Sequence, residues 1–236
     1  GVRFFQNQRA KSIRWARLAE REAKRSGARD ALAQAYKTLD VAFKENGQLE
    51  KAIYSPKALE IYEELGDLRN QAIVLNNIGA QAQDRSDWDE ARDLYERSLM
   101  LFERMGDRTT AGLAKFNIGQ ILSDQGRFEE AEPLLREVLR VWRAAGADAD
   151  VAEARRELAK LMVRTDRLDE ASELLEAARQ EQLATGQHGE VLSTDVRRIE
   201  VRLFEGAPDT AMAMIDEARD LAGTTDGGSV FVPILE

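Results

Sequence analysis

Residues 74–107, VLNNIGAQAQDRSDWDEARDLYERSLMLFERMGD, and residues 115–148, KFNIGQILSDQGRFEEAEPLLREVLRVWRAAGAD, align without a gap when the chain is shifted by 40 residues, so that Leu75 meets Lys115 and Asp107 meets Ala147. Ala91, Ala131, Ala171 and Ala211 keep that 40-residue step, and Gly66, Gly106, Gly146 and Gly186 keep it on a second register. A fixed period of this size marks stacked supersecondary units. Within each stretch apolar residues recur at three- and four-residue steps on both sides of a short polar turn, so each unit reads as two amphipathic helices. The expected fold is all-α, a right-handed α-solenoid of antiparallel helical hairpins with about five repeats, about ten or eleven helices and no strands.

Working outward, RELAKLMVRTDRLDEASELLEAARQEQLATGQ (156–187) keeps the second helix and loosens the first, with Ala159 as its small residue. The next unit, from about Val191 to Leu221, is the most degenerate; Gly206, Pro208 and Asp209 mark its turn. Upstream, AYKTLDVAFKENGQLEKAIYSPKALEIYEELGD (35–67) is one residue short and carries Pro56 inside its second helix. Residues 9–27 read as the second helix of a still earlier unit whose first helix is missing or reduced to VRFFQNQ. The sequence thus predicts one repeat domain over 1–236, with a partial unit at 1–27, units at 28–67, 68–107, 108–147, 148–187 and 188–222, and a truncated tail at 223–236. GTTDGGS (223–229) reads as a loop between helices. Both ends read as those of a piece of a longer protein. Phe4, Phe5, Phe231, Val232, Ile234 and Leu235 either pack back on the end units or leave a sticky surface, and Pro233 suits the first turn of a new helix.

The small residues carry the packing logic. Gly79 and Gly119 lie on first helices where a side chain would hold the paired helices apart, and Ala91 and Ala131, twelve residues later, sit where the second helix crosses closest. Ile78, Leu94, Leu99 and Leu101 in one unit, and Ile118, Leu122, Leu134, Leu135, Val138 and Trp142 in the next, read as core. Acidic pairs Asp89 and Glu90, Glu129 and Glu130, and Asp169 and Glu170 stand at the start of each second helix, where carboxylates complement the dipole and cap free amides. Gly66, Gly106 and Gly146 end those helices by tolerating a left-handed cap.

Composition narrows the function classes. The 236 residues include 33% charged and 6% aromatic side chains and 4 Pro, with a formal net charge of -9. Acidic and basic residues alternate along the helices instead of forming a basic block, which argues against direct nucleic-acid binding. With 0 Cys, disulfides, Cys-ligated zinc and thiolate nucleophiles are excluded. No run approaches the length of a membrane span, and the N-terminus lacks a signal-peptide stretch; the expected setting is cytoplasmic, with no membrane partner. The single His, His188, lies in a GQHGE loop without a metal partner. Acidic pairs that recur in every unit are explained by fold geometry, whereas a catalytic pair would be singular. No cofactor and no catalytic residue are expected.

NNIG or FNIG, then a turn, an acidic pair and Ala with an aromatic or leucine four residues on, resembles the tetratricopeptide repeat. That family's usual unit is about 34 residues. Here both helices run longer and GD stands where the family has a helix-ending Pro, so the chain resembles the 40-residue variety of kinesin light chains and Pins-type polarity proteins. SPKALEIYEELGDLRNQAIVLNNIG and FNIGQILSDQGRFEEAEPLLREVLRVWRAAG also resemble the C-terminal repeat region of actinobacterial signalling proteins that join a class III adenylate/guanylate cyclase domain to an AAA-type ATPase domain. Neither catalytic domain lies in this chain, and no GxxxxGK phosphate loop is found.

The resemblance implies that first helices line a concave groove and that an Asn two places before the small residue holds the backbone of an extended peptide. Those positions are Asn77 and Asn117; an amide both donates and accepts, so it can satisfy a peptide bond in both senses. Neighbouring groove positions are Ile73, Asn76, Ala80, Gln83 and Asp84, then Leu113, Phe116, Gln120, Ser123 and Asp124. The alternative is that both Asn residues bond only to adjacent helices. In the following unit Glu157 replaces the Asn, and Arg156, Lys160 and Arg164 share one helical face, read either as a receptor for an acidic peptide or carboxylate or as a solvated charge run. The resulting expectation is a non-catalytic protein-interaction and regulatory module of a bacterial signalling protein, its partner a peptide or protein, including another domain of the same polypeptide. The rival readings are a self-associating scaffold that positions catalytic domains and, third, an enzyme in its own right.

Overall fold

The computed structural model describes residues 2–224, and among them it contains eleven α-helices, one 3-10 turn and no strand. In chain order these are α1 (Val2–Ser26), α2 (Arg29–Glu45), the 3-10 turn Leu49–Lys51, α3 (Ser55–Leu65), α4 (Leu68–Asp84), α5 (Trp88–Arg104), α6 (Arg108–Asp124), α7 (Phe128–Ala145), α8 (Asp148–Arg164), α9 (Leu168–Ala184), α10 (His188–Phe204) and α11 (Pro208–Thr224). From α4 onward a helix begins every 20 residues, so the 40-residue sequence period is one antiparallel hairpin. The fold is all-α and of the helical-solenoid class. The chain divides inside α6 into two compact units, residues 1–114 and 115–236.

Local chemistry sets the helix boundaries. Gly66 and Gly146 adopt left-handed φ values of 67° and 68°, and the residue after each donates back to the carbonyl five residues earlier, Asp67 N to Tyr62 O and Ala147 N to Trp142 O, both 3.0 Å. These are glycine C-caps in which only a residue without Cβ is unstrained. Asp67 caps α4 by accepting from Asn70 N at 3.0 Å, and Asp107 accepts from Thr110 N at 3.1 Å at the start of α6. The acidic pairs do lie in the first turns of α5, α7 and α9, but the expectation that they cap free amides is corrected: in α5 the cap is Asp87, which accepts from Glu90 N, and α7 and α9 have no side-chain cap. In α7 and α9 Arg127 and Arg167 occupy the N-cap without a side-chain bond to the helix, and Glu130 and Glu170 grip those guanidinium groups, as Glu90 of α5 holds Arg85.

Close approach follows the small residues. A Cβ built on Gly79 would lie 2.8 Å from Tyr95 Cε1, and one on Gly119 would lie 2.8 Å from Leu135 Cδ2. Ala91, Ala131, Ala171 and Ala211 are all buried. In the first unit Ala33, Tyr36, Leu39, Phe43, Ile61, Tyr62 and Val74 form one cluster, and Ala72, Phe102 and Ala111 another. In the second, Leu192, Ile199, Ala211, Ala218 and Ala222 cluster between α10 and α11. Of the core residues read from sequence, Leu94, Ile118, Leu122, Leu135, Val138 and Trp142 are buried, and Ile78, Leu99, Leu101 and Leu134 are half-buried.

Three expectations are corrected. VRFFQNQ is not a reduced first helix: residues 2–26 form one continuous helix, α1. Pro56 does not sit inside a second helix. The helix is interrupted after the 3-10 turn and restarts at Ser55, which places Pro56 in its first turn. A proline further in would clash with the Ala52 carbonyl and leave it without a donor, and Ala52 is buried. His188 opens α10 instead of lying in a loop. Of GTTDGGS, Gly223 and Thr224 end α11; the rest, with Phe231, Val232, Pro233, Ile234 and Leu235, lies outside the described residues.

Candidate functional site

In the first unit the interrupted helix and its neighbours build a polar-rimmed depression. The register that puts Gly79 on α4 puts Asp40 on α2, one step of 39 residues earlier, and its carboxylate is buried at 3% exposure. Asp40 accepts from Tyr54 N at 2.9 and 3.0 Å and from Ser55 N, so it caps the restarted helix from across the hairpin. Tyr54 in turn stacks on Tyr36 at 5.5 Å and on Phe43 at 6.3 Å, under the Arg17 guanidinium 4.9 Å from its ring.

Beside this cap, Val41, Lys44 and Glu45 of α2 and Asn77, Ala80 and Gln81 of α4 line, with Asp40, a pocket of ≈ 290 Å³. Gln81 continues into a second pocket of ≈ 320 Å³ shared with Glu50, Ala52, Ile53, Asp84 and Arg85. The Lys44–Asp84 ion pair, 2.8 Å long, stands between the two. Val41 is 46% and Ile53 61% exposed. The half-buried Asn77 amide makes no hydrogen bond among the described residues, and the exposed Glu45 and Glu50 make no ion pair there. The depression therefore offers free amide donors and an acceptor, two open aliphatic side chains and two free carboxylates.

The other groove positions divide by what already holds them. In the first unit Ile73 packs against the Ala72–Phe102–Ala111 cluster, Asn76 has a partner, Gln83 accepts the Tyr95 hydroxyl at 2.9 Å, and Asp84 is paired with Lys44. Burial pushes the Tyr95 hydroxyl above its ordinary range, with the Asp84 charge adding to it. Ala80 lines the pocket and Leu113 is exposed. In the second unit Phe116 is buried, its ring 5.5 Å from that of Trp142. Asn117 has a partner, Gln120 reaches Glu157 at 3.4 Å, and the Ser123 hydroxyl is fully buried.

Arg156, Lys160 and Arg164 do share a face of α8, but each is already engaged. Arg156 pairs with Glu190 at 2.7 Å and with Glu153, Lys160 with Asp124 at 2.7 Å, and Arg164 with Asp124 at 3.4 Å and the Ser123 carbonyl at 2.8 Å. Lys160 also lies 3.3 Å from the buried Glu157 Oε1, an ionic contact without hydrogen-bond geometry. A pocket of ≈ 510 Å³ between α8 and α10 is lined by this paired lattice and by Arg197 and Glu200, themselves 2.7 Å apart. Among the described residues no group of three or more His, Asp and Glu could hold a metal ion, and no helix is long and apolar enough to cross a membrane.

Sequence reasoning missed Asp40, Val41, Glu45, Glu50 and Ile53. A signal for Asp40 existed, since a 39-residue step aligns it with Gly79; the pocket around it arises from the helix interruption and left no pattern of its own. It also missed a charge asymmetry. Eight of the 34 Lys and Arg but only two of the 43 Asp and Glu lie in α1, which makes that helix +6 and the rest of the chain -15.

Paired helices at a 40-residue period with glycine or alanine at the crossing define a tetratricopeptide-type helical repeat protein. A family model described as tetratricopeptide repeat matches residues 110–180, and one described as soluble NSF attachment protein, SNAP, matches residues 6–142. The chain belongs to the tetratricopeptide-repeat superfamily and, by the model that spans more than half of it, to the soluble NSF attachment protein family within that superfamily. No curated protein sequence matches it significantly. Among solved structures it is similar to BtubC (BKLC) from P. vanneervenii, with 21% identity over 93% of this chain and 92% of that one and a TM-score of 0.79. It is also similar to the STAND signal transduction ATPase with a tetratricopeptide repeat sensor, PH0952, from Pyrococcus horikoshii (22% identity, 88% of this chain but 33% of that one, TM-score 0.70). A third is a Rap protein complexed with Competence and Sporulation Factor (16% identity, 83% and 54%, TM-score 0.70). At these identities the likeness is one of fold.

Proposed function

We propose that the chain is a non-catalytic protein-interaction module that receives an extended segment of a partner on the α2–α4 face of its first unit. The observation that carries this reading is the unsatisfied Asn77 amide beside Val41 in a preformed pocket. A half-buried amide without a partner costs free energy that a peptide backbone would recover. The bound segment places an aliphatic side chain against Val41 or Ile53 and a basic one toward Glu45 and Glu50. Of the two amides read from sequence, Asn77 is the contact, and Asn117 is held within the fold.

The setting we propose is cytoplasmic, as the regulatory region of a bacterial signalling protein with nucleotide-cyclase or ATPase domains elsewhere. Support comes from the resemblance of residues 55–79 and 116–146 to such proteins and from the fold shared with the sensor of the STAND ATPase. The test is selection of unstructured 12-residue peptides on the full chain, followed by Asn77→Ala and Ala80→Arg. Recovered peptides should be enriched in Lys or Arg next to Val, Ile or Leu and lose at least tenfold in affinity with either variant. Peptides that bind both variants as tightly as the parent chain would remove this face from consideration.

A further inference from the structure

Within the second unit, the two seams where one hairpin meets the next are built from opposite chemistry. Where α9 meets α10, polar pairs run antiparallel along the contact. The Thr194 hydroxyl donates to Gln182 at 2.8 Å, Arg179 to Asp195 at 2.8 Å, Arg198 to Glu176 at 2.6 Å, and Arg202 to the Ser172 hydroxyl at 2.9 Å. Arg198 also reaches Asp195 at 2.8 Å. Gln182, Thr194 and Asp195 are buried, while Glu176 and the three arginines are half-buried and stay within reach of salt ions. The 40-residue step aligns Gln182 and Arg179 with Trp142 and Leu139 of α7, and Arg198 and Arg202 with Leu158 and Met162 of α8. All four of those apolar residues are buried. At one step of the stack an apolar seam has been exchanged for a ladder of hydrogen bonds and ion pairs.

The helix held by this ladder borders open volume toward both neighbours. Toward α9 lies a pocket of ≈ 530 Å³ whose lining includes the ladder residues Ser172, Glu176, Arg198 and Arg202. Toward α8 lies the pocket of ≈ 510 Å³, bridged by the ion pair of Arg156 with Glu190. α10 and α11 share their own apolar cluster of Leu192, Ile199, Ala211, Ala218 and Ala222, which ties them into one body. Burial of apolar surface is not screened by salt, whereas ion pairs are, and their groups regain water when a polar seam parts. Of the two seams, the polar one therefore costs less to open. We infer that the α9–α10 seam is a hinge: the α10–α11 hairpin swings on α8–α9 as one body, and the swing sets the width of the α8–α10 pocket.

Hydrogen–deuterium exchange on the full chain reads the hinge without any substitution. Raising sodium chloride from about 50 mM to about 500 mM should speed exchange in α10 and α11 by about threefold or more and leave α7 and α8 unchanged. Asp195→Asn keeps the shape of the side chain and removes the charge that Arg179 and Arg198 share. In that variant α10 and α11 should exchange about threefold faster already at low salt, and the response to salt should shrink. Because the chain has 0 Cys, spin labels can be placed on Ala149→Cys in α8 and Glu217→Cys in α11, both exposed positions. The distance between the labels should shift and spread as salt is raised. Exchange that ignores salt, or that rises equally in α7 and α8, would overturn the inference. So would an undiminished salt response in Asp195→Asn, or a label distance that stays fixed while α10 and α11 exchange faster.

Discussion

At the point of closest approach the α4–α5 hairpin sets Gly79 against Tyr95, whereas the α2–α3 hairpin, in the same unit, sets Asp40 against Ser55. Large and small have changed sides. In the regular hairpin the second helix runs unbroken and its tyrosine ring fills the space that the missing Cβ leaves. In the irregular one Pro56 forbids that continuity, and the carboxylate of Asp40 reaches through the same space to cap the helix where it restarts. The first solution is steric and leaves no free backbone; the second is electrostatic and leaves a depression beside it. A single proline has converted a packing position into a support for a candidate binding face.

The comparison breaks most sharply at Asp40. Asp40→Ala leaves the Tyr54 and Ser55 amides without an acceptor and should cost about 2–3 kcal/mol in chemical denaturation; a loss below about 0.5 kcal/mol would mean that the cap is ornamental. Gly79→Val tests the steric counterpart. It forces a branched side chain onto the buried Tyr95 ring and should destabilise by about 2 kcal/mol, with Asp40 and its cap untouched.

A local cap can be set against the borrowed one by pH. Hydrogen bonds from the Asn70 side chain and backbone hold the Asp67 carboxyl below the usual carboxylate range. Because the folded value is the lower one, the stability that Asp67 lends is complete above the ordinary carboxylate value and is lost as pH falls through the depressed one. Asp67→Asn keeps a capping side chain, so thermal melts near neutrality should barely change. Toward pH 3 the variant should lose less than the parent chain, by no more than a cap contributes, about 1 kcal/mol. The smallest effect falls on Ser55, whose buried hydroxyl has no hydrogen-bond partner. Ser55→Ala keeps the amide that Asp40 accepts and should shift stability by less than about 0.5 kcal/mol; a larger loss would show that the hydroxyl is engaged.

The repeat and the crossing residues were legible because each depends on spacing along one chain, whereas His188 and Pro208, read as loop and turn, open α10 and α11. Gly79 and Gly119 were read as contact points from position alone, and the geometry agrees to the atom. The two prolines show where such reading stops. Pro56 forces the helix to restart because the carbonyl it would orphan in a continuous one belongs to buried Ala52, whereas Pro133 lies inside α7, where the corresponding residue, Glu129, is exposed and its carbonyl can turn to water. The groove was legible only as a register. It named Asn77 and Asn117 alike, yet one amide is free and the other engaged.

By itself, then, the amino-acid sequence determined a stack of helical hairpins with a 40-residue step and placed the residues without side chains, or nearly so, where helices cross. Only the tertiary structure decided which polar groups remain available. Lys160 meets Asp124 and Arg156 meets Glu190 across 34 to 36 residues of chain, and Asp40 finds the Ser55 amide across a broken helix. Helical periodicity assigns a side chain to a face, but its charge is spent or left free according to what the neighbouring helix brings within a few ångströms, where Coulomb energy and desolvation are decided.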